Sequence, residues 1–179
     1  MNPKKVFKLL NAAQEELENK KYISYDSRVG IYCSILEEFI DANMKLLCLF
    51  YDSAEKVKGF YSDRLDVGLY SKFENQRRTL LELDEFRTYL DNQFEMGINF
   101  HRSIYAGYAL WSSAMFQLTS KTFPRSQNGE IDLDIEDWDP PFFACLAYCG
   151  ETSWEQVGDS GLRKEFWSWY LEELKTILV

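Results

Sequence analysis

The side chains most able to do chemistry crowd together between Glu130 and Asp139. Six carboxylates fall there within ten residues: Glu130, Asp132, Asp134, Glu136, Asp137 and Asp139. Three chemistries use such a run. A calcium loop is one, and Asp132-x-Asp134-x-Glu136 resembles the start of an EF-hand. That loop needs glycine at its sixth position and glutamate at its twelfth, where this chain has Asp137 and Phe143. General acid–base catalysis is another, but it needs two carboxylates in unlike environments, one apolar and one solvated. Sequence neighbours on an extended segment share one environment. The third use is a negative field presented to a basic partner, and its alternative is a solvated acidic face that keeps the protein soluble.

His101 is the sole histidine, so any Ser-His-Asp, Cys-His or histidine–metal scheme must pass through it. Its neighbours in a helical register are Gly97, Ile104, Tyr105 and Tyr108, the surroundings of a packed side chain. No H-E-x-x-H or Glu-x-x-His pair accompanies it. Cys33, Cys48, Cys145 and Cys149 form no C-x-x-C pair, and Cys145 with Cys149 shares a helix face without a second pair of ligands. They are expected to be free, buried small hydrophobes. Neither G-x-G-x-x-G nor G-x-x-x-x-G-K-[ST] occurs. No cofactor and no metal are therefore expected.

Charge narrows the partners. The chain of 179 residues carries a net charge of −9. Residues 1–129 hold 17 acidic and 17 basic side chains, whereas residues 130–179 hold 12 acidic and three basic. The whole imbalance sits in the last 50 residues. Nucleic acid and anionic membrane must be met with lysine and arginine, so neither is an expected partner. Apolar runs such as Ile104 to Trp111 fall far short of the roughly 18 residues of a membrane span. Gln14-Glu15-Glu16 interrupts the N-terminal apolar stretch too early for a signal peptide, which predicts a cytoplasmic protein.

The elements that must position these groups read as helices. Asn2-Pro3 opens the first, with Val6, Leu9, Leu10, Ala13 and Leu17 on one stripe ending near Lys20. A second is predicted from Asp26-Ser27 to about Phe50, with Val29, Cys33, Leu36, Ile40, Met44 and Leu47 inward and Glu37, Glu38 and Asp41 outward. Residues 51–62 are polar enough for a short helix or loop, and Asp63 can cap a helix toward Arg78. Leu83, Phe86, Leu90 and Phe94 mark another helix running to Gly97. Residues 98–119 are apolar on nearly every face and rich in Ala, Gly and Ser, the signature of a central buried helix. Pro124, Asn128-Gly129 and Pro140-Pro141 then punctuate a loop over 124–140. Within it, Glu130 to Glu136 alternates acid and aliphatic, an extended pattern. Pro141 opens a helix through Tyr148, closed by Gly150, and Asp159 or Ser160 caps a last one carrying Phe166, Trp167, Tyr170 and Leu174. The prediction is a single all-α domain over 1–179, a multi-helix bundle of six or seven helices around helix 98–119.

Tryptophan is frequent in the C-terminal third, beside acid in Trp138-Asp139 and Trp154-Glu155 and among aromatics in Phe166-Trp167-Ser168-Trp169-Tyr170. The last cluster is expected in the core, whereas Trp138 and Trp154 sit in loops where tryptophan can anchor a partner. Together with Phe142 to Tyr148, Gly150 and Arg163-Lys164-Glu165, these residues resemble an all-α family of bacterial immunity proteins, encoded beside polymorphic toxins and counted among the numbered immunity families. The family pattern runs W-D…F-W-A-S-L-A-Y-A-G-G…W-E…R-R-E-F-W-x-W-Y-L. The similarity covers residues 137–171. The small-residue helix at 104–116 is similar to an alanine-rich helix of the family, and Arg28 with the helix after it to the start of the first conserved helix; residues 51–95 show no such likeness. Phe143 replaces a tryptophan, Cys149 an alanine and Glu151 the second glycine.

What the resemblance implies is a cytoplasmic, non-catalytic antidote that binds and neutralises the toxin domain of a cognate bacterial toxin. Charge adds that the toxin is basic, as a nuclease with a basic groove is. The candidate contacts are Glu130, Asp132, Asp134, Glu136, Asp137, Trp138, Asp139, Trp154 and Glu155. Two alternatives use the same residues differently. One is a helical adaptor or scaffold; the other is a small hydrolase built on His101 and the 130–139 carboxylates.

Overall fold

The computed structural model describes residues 4–62, 65–66, 68–69, 71, 79–95, 101–121, 123–124, 133–150 and 159–179. Among them are seven α-helices and no strand: α1 (Lys4–Lys20), α2 (Tyr25–Glu38), α3 (Ala42–Ser62), α4 (Leu80–Glu95), α5 (His101–Thr119), α6 (Pro140–Cys149) and α7 (Ser160–Leu178). The chain is all-α, as its periodicity predicts.

Helix α5 is the centre, packing against α3, α4 and α6. Every residue from His101 to Ala114 except Arg102 is buried. Small side chains make this possible. An added Cβ on Gly107 would stand 2.5 Å from Leu90 Cδ2 and 3.2 Å from Tyr61 Cε2, so α4 and α3 approach the backbone of α5 at that point. Serines replace apolar contacts without leaving bare hydroxyls: Ser103 Oγ donates to Phe60 O (2.6 Å) and Ser113 Oγ to Ala109 O (2.7 Å). Around this axis, α6 packs on α3 and α7, while α1 packs on α2 and α7. One contiguous core takes in residues from Val6 to Leu178.

Helix ends follow local chemistry. Pro140 and Pro141 open α6, and Gly150 closes it in the left-handed conformation at φ +71°. Asp159 caps α7, its carboxylate accepting from the Gly161 and Leu162 amides.

The second predicted helix is two helices. The chain turns at Phe39, which is extended (φ −119°, ψ 137°), and α3 restarts at Ala42 and continues through Ser62, where a short helix or loop was expected. The inward stripe also differs. Leu36, Ile40 and Met44 are exposed, Ile40 fully at 104%. The buried face of α2 carries Arg28, Val29, Ile31, Tyr32 and Ile35. Two of these are polar residues that a hydrophobic pattern places outward, and their burial rotates the helix away from the expected stripe. Cysteine burial is mixed too: Cys145 and Cys149 are buried with sulfurs 3.8 Å apart, Cys33 is half-buried and Cys48 exposed. The start at Asn2-Pro3, the cap at Asp63, and Gly97 lie outside the described residues.

Candidate functional site

The acidic segment is described from Leu133 onward, and it is not extended throughout. Ile135–Asp137 forms a single 3-10 turn, closed by the Asp137 amide on Asp134 O (2.8 Å) and the Trp138 amide on Ile135 O (3.3 Å). Leu133 and Ile135, two residues apart in the alternation of acid and aliphatic, both pack on the core. Asp134 is exposed. Asp137 is half-buried and pairs with Lys121 across 2.7 Å. The side chain of Glu136, and Glu130, Asp132, Trp154 and Glu155 altogether, lie outside the described residues.

Trp138 and Asp139 turn inward, against their expectation as surface contacts. Trp138 packs edge-on to Phe142 (5.1 Å) and beside Phe143 (5.6 Å), with its carbonyl accepting from Ser112 Oγ. Asp139 is 0% exposed. Its Oδ2 accepts from Arg28 Nε and its Oδ1 from Arg28 Nη2, each at 2.9 Å. Tyr32 Oη donates to the same Oδ2 at 2.5 Å, and Tyr170 Oη donates in turn to Tyr32 Oη at 3.2 Å. Burial, then the Asp139 charge, pushes the Tyr32 phenol well above its ordinary value. Burial likewise raises that of Tyr170. Both hydroxyls therefore keep their protons and donate. The guanidinium also reaches Ile23 O (2.6 Å) and lies 4.9 Å from the Trp167 ring and 5.2 Å from that of Phe142. A buried ion pair is tolerable only when its remaining donors and acceptors are satisfied in this way. Asp139 is thus the inner anchor of the segment, fixing its end to α2.

His101 is also internal. Its ring stacks on Phe94 at 4.4 Å, nearly parallel, and meets Tyr105 edge-on. Among the described residues no three His, Cys, Asp or Glu side chains converge as a metal site would require.

Beside the segment opens a groove of about 540 Å³ between α4 and α5. Leu80, Leu81, Trp111, Met115, Phe116 and Phe123 give it an apolar lining, and Asp84, Arg87 and Lys121 stand at its edge. It adjoins the acidic turn directly, because Lys121 pairs with Asp137 and Ser112 binds the Trp138 carbonyl. Sequence reasoning missed this groove. The available signal was Leu80-Leu81 at a helix start, since adjacent helical residues cannot both face the core.

Comparison with known proteins decides the family. The sequence model of the Imm5 immunity proteins matches residues 55–176, well over half of the chain. The chain belongs to the Imm5 family. No curated protein matches it. The Imm5 match takes in α4, α5, α6, most of α7 and the C-terminal part of α3, so it extends through the stretch at 51–95 where the motifs alone showed no likeness. Trp138, Asp139 and the groove fall inside the Imm5 region, while Arg28, which neutralises Asp139, falls before it. No helix among the described residues is long and apolar enough to cross a membrane.

Proposed function

We propose that this Imm5 protein is a non-catalytic, cytoplasmic antidote. It folds as one domain over residues 1–179, binds the toxin domain of a cognate polymorphic toxin, and blocks it. Family membership is the observation that carries this function. The charge of the last 50 residues supports a basic toxin, for which a nuclease is the natural candidate. In this scheme Glu130, Asp132, Asp134, Glu136, Asp137, Trp154 and Glu155 face the toxin. Trp138 and Asp139 serve from the interior, holding the segment's end to the core.

The test is co-expression with the C-terminal domain of the large toxin encoded beside this gene. That domain alone should arrest growth, and the chain should restore it. Replacing Asp134, Glu136 and Asp137 by their amides should slow association about tenfold at low salt and flatten its salt dependence, because steering by charge acts on the on-rate. An unchanged on-rate removes the segment from the interface, and growth arrest that persists with the wild-type chain refutes the function.

A further inference from the structure

The groove between α4 and α5 has the construction of a receptor for one kind of peptide surface. Its lining is apolar, and two of the lining residues are left in solvent: Leu80 is 58% exposed and Leu81 68%. Both belong to the first turn of α4. The floor is firmer. Trp111 donates its indole N–H to Leu83 O at 3.1 Å, and Phe116 and Phe123 stack nearly parallel. A side chain entering the groove would meet a packed aromatic base and an exposed aliphatic lip, the kind of pocket in which a buried anchor contributes most to binding.

The charges around it select what flanks that anchor. The two cations at the edge are already engaged: Arg87 pairs with Asp91 (3.5 Å) and lies over the Trp111 ring, and Lys121 pairs with Asp137 (2.7 Å). The exposed acids are not so engaged. Asp84 at the groove edge, Glu85 next to it and Asp134 beside the acidic turn are all exposed, with no ion-pair partner among the described residues. From Leu80 to Glu95 the helix carries five acidic residues and one basic. Among the described residues the groove is therefore apolar within, its two edge cations are paired with acids, and the edge charges left without an ion pair are acidic.

We infer that this groove is the docking site for a segment of the toxin domain that presents one large apolar side chain flanked by lysine or arginine. The inference rests on the antidote function proposed above. The apolar residue seats against Trp111, Met115 and Phe116. Its basic neighbours then reach Asp84 on one side and Asp134 on the other, so α4 and the acidic turn act as two jaws of one site.

The experiment titrates the toxin domain encoded beside this gene with wild-type protein, Leu81→Lys, Asp84→Lys and Met44→Lys, by calorimetry and by growth rescue. Leu81, Asp84 and Met44 are all exposed, so each variant should fold, as unchanged melting temperatures will show. Met44 is an exposed apolar residue that does not line the groove. Leu81→Lys should weaken binding roughly tenfold or more, as loss of an anchor contact does. Asp84→Lys should slow association most at low salt, while Met44→Lys binds as wild type. If wild type binds and rescues but Leu81→Lys and Asp84→Lys are indistinguishable from it, the groove assignment is overturned and the antidote function stands. If wild type neither binds nor rescues, both fall. A wild-type dimer in sedimentation that Leu81→Lys dissolves would assign the groove to a second copy instead and overturn the toxin segment.

Discussion

Replacing Asp139 by asparagine tests the internal anchor with little change of volume. Asparagine keeps one acceptor but turns an amide NH2 toward a guanidinium N–H, and it leaves Arg28 with no opposing charge although both side chains are essentially fully buried. Removing one partner of a buried pair costs about 3–5 kcal/mol. In a chain of this length each kcal/mol lowers the melting temperature by about 2–4 °C, so Asp139→Asn should melt roughly 6–20 °C below wild type. Thermal and urea denaturation followed by circular dichroism measure this, with equal urea slopes showing that the unfolding reaction is unchanged. A second variant isolates the charge. Arg28→Met, Tyr32→Phe and Asp139→Leu together remove both ions and the hydroxyl bound to Asp139, leaving a largely apolar cluster beside Trp167 and Phe142 in which only the Tyr170 hydroxyl loses its acceptor. Such replacements are often neutral or stabilising, so the triple variant should be more stable than Asp139→Asn alone. The reasoning is wrong if Asp139→Asn stays within about 1 kcal/mol of wild type, or if the triple variant is the less stable of the two.

Gly107→Ala should destabilise the protein by up to about 2 kcal/mol in urea titrations, because crowding Leu90 and Tyr61, at about 1–3 kcal/mol, outweighs the roughly 1 kcal/mol that alanine gains in helix propensity. Glu16 gives a pH-dependent effect. Burial alone raises its pKa, but hydrogen bonds from Ser27, Lys20 and Ser24 outweigh that and leave it lowered. Its contribution is thus complete above the unfolded glutamate value of about 4.3 and disappears as pH falls through the lower folded value. Glu16→Gln should be less stable than wild type at pH 7, with the difference in urea midpoint closing below about pH 4. Asp159→Ala should cost about 1 kcal/mol, read by urea denaturation, by stripping the Gly161 and Leu162 amides of their cap.

How much of this was legible in the sequence depended on whether one residue type carried one meaning. Helix α5 announced itself because small and apolar residues on every side have no use except burial. Helices α6 and α7 did so through Pro140-Pro141, Gly150 and Asp159, whose backbone preferences are local. The face of α2 was not legible, because Arg28 and Tyr32 are buried by a partner 111 and 107 residues away. Asp139 was misplaced for the same reason: in a run of acids nothing marks the one that turns inward. The groove needs α4, α5 and Phe123 at once, and no short window of sequence contains it.

The bond between Arg28 and Asp139 also sets an order of events in the cell. Synthesis at about 5–20 residues per second places Asp139 roughly 6–22 s behind Arg28. Throughout that interval α2 holds a cation with no counter-ion and an aromatic face with no α6 or α7 to cover it. The amino-terminal half therefore cannot complete this packing until residues 139 to 178 have been made, so its core closes late in translation. Ribosomes stalled before codon 139 would yield material for proteolysis, so the dose of working antidote should follow completed translation closely.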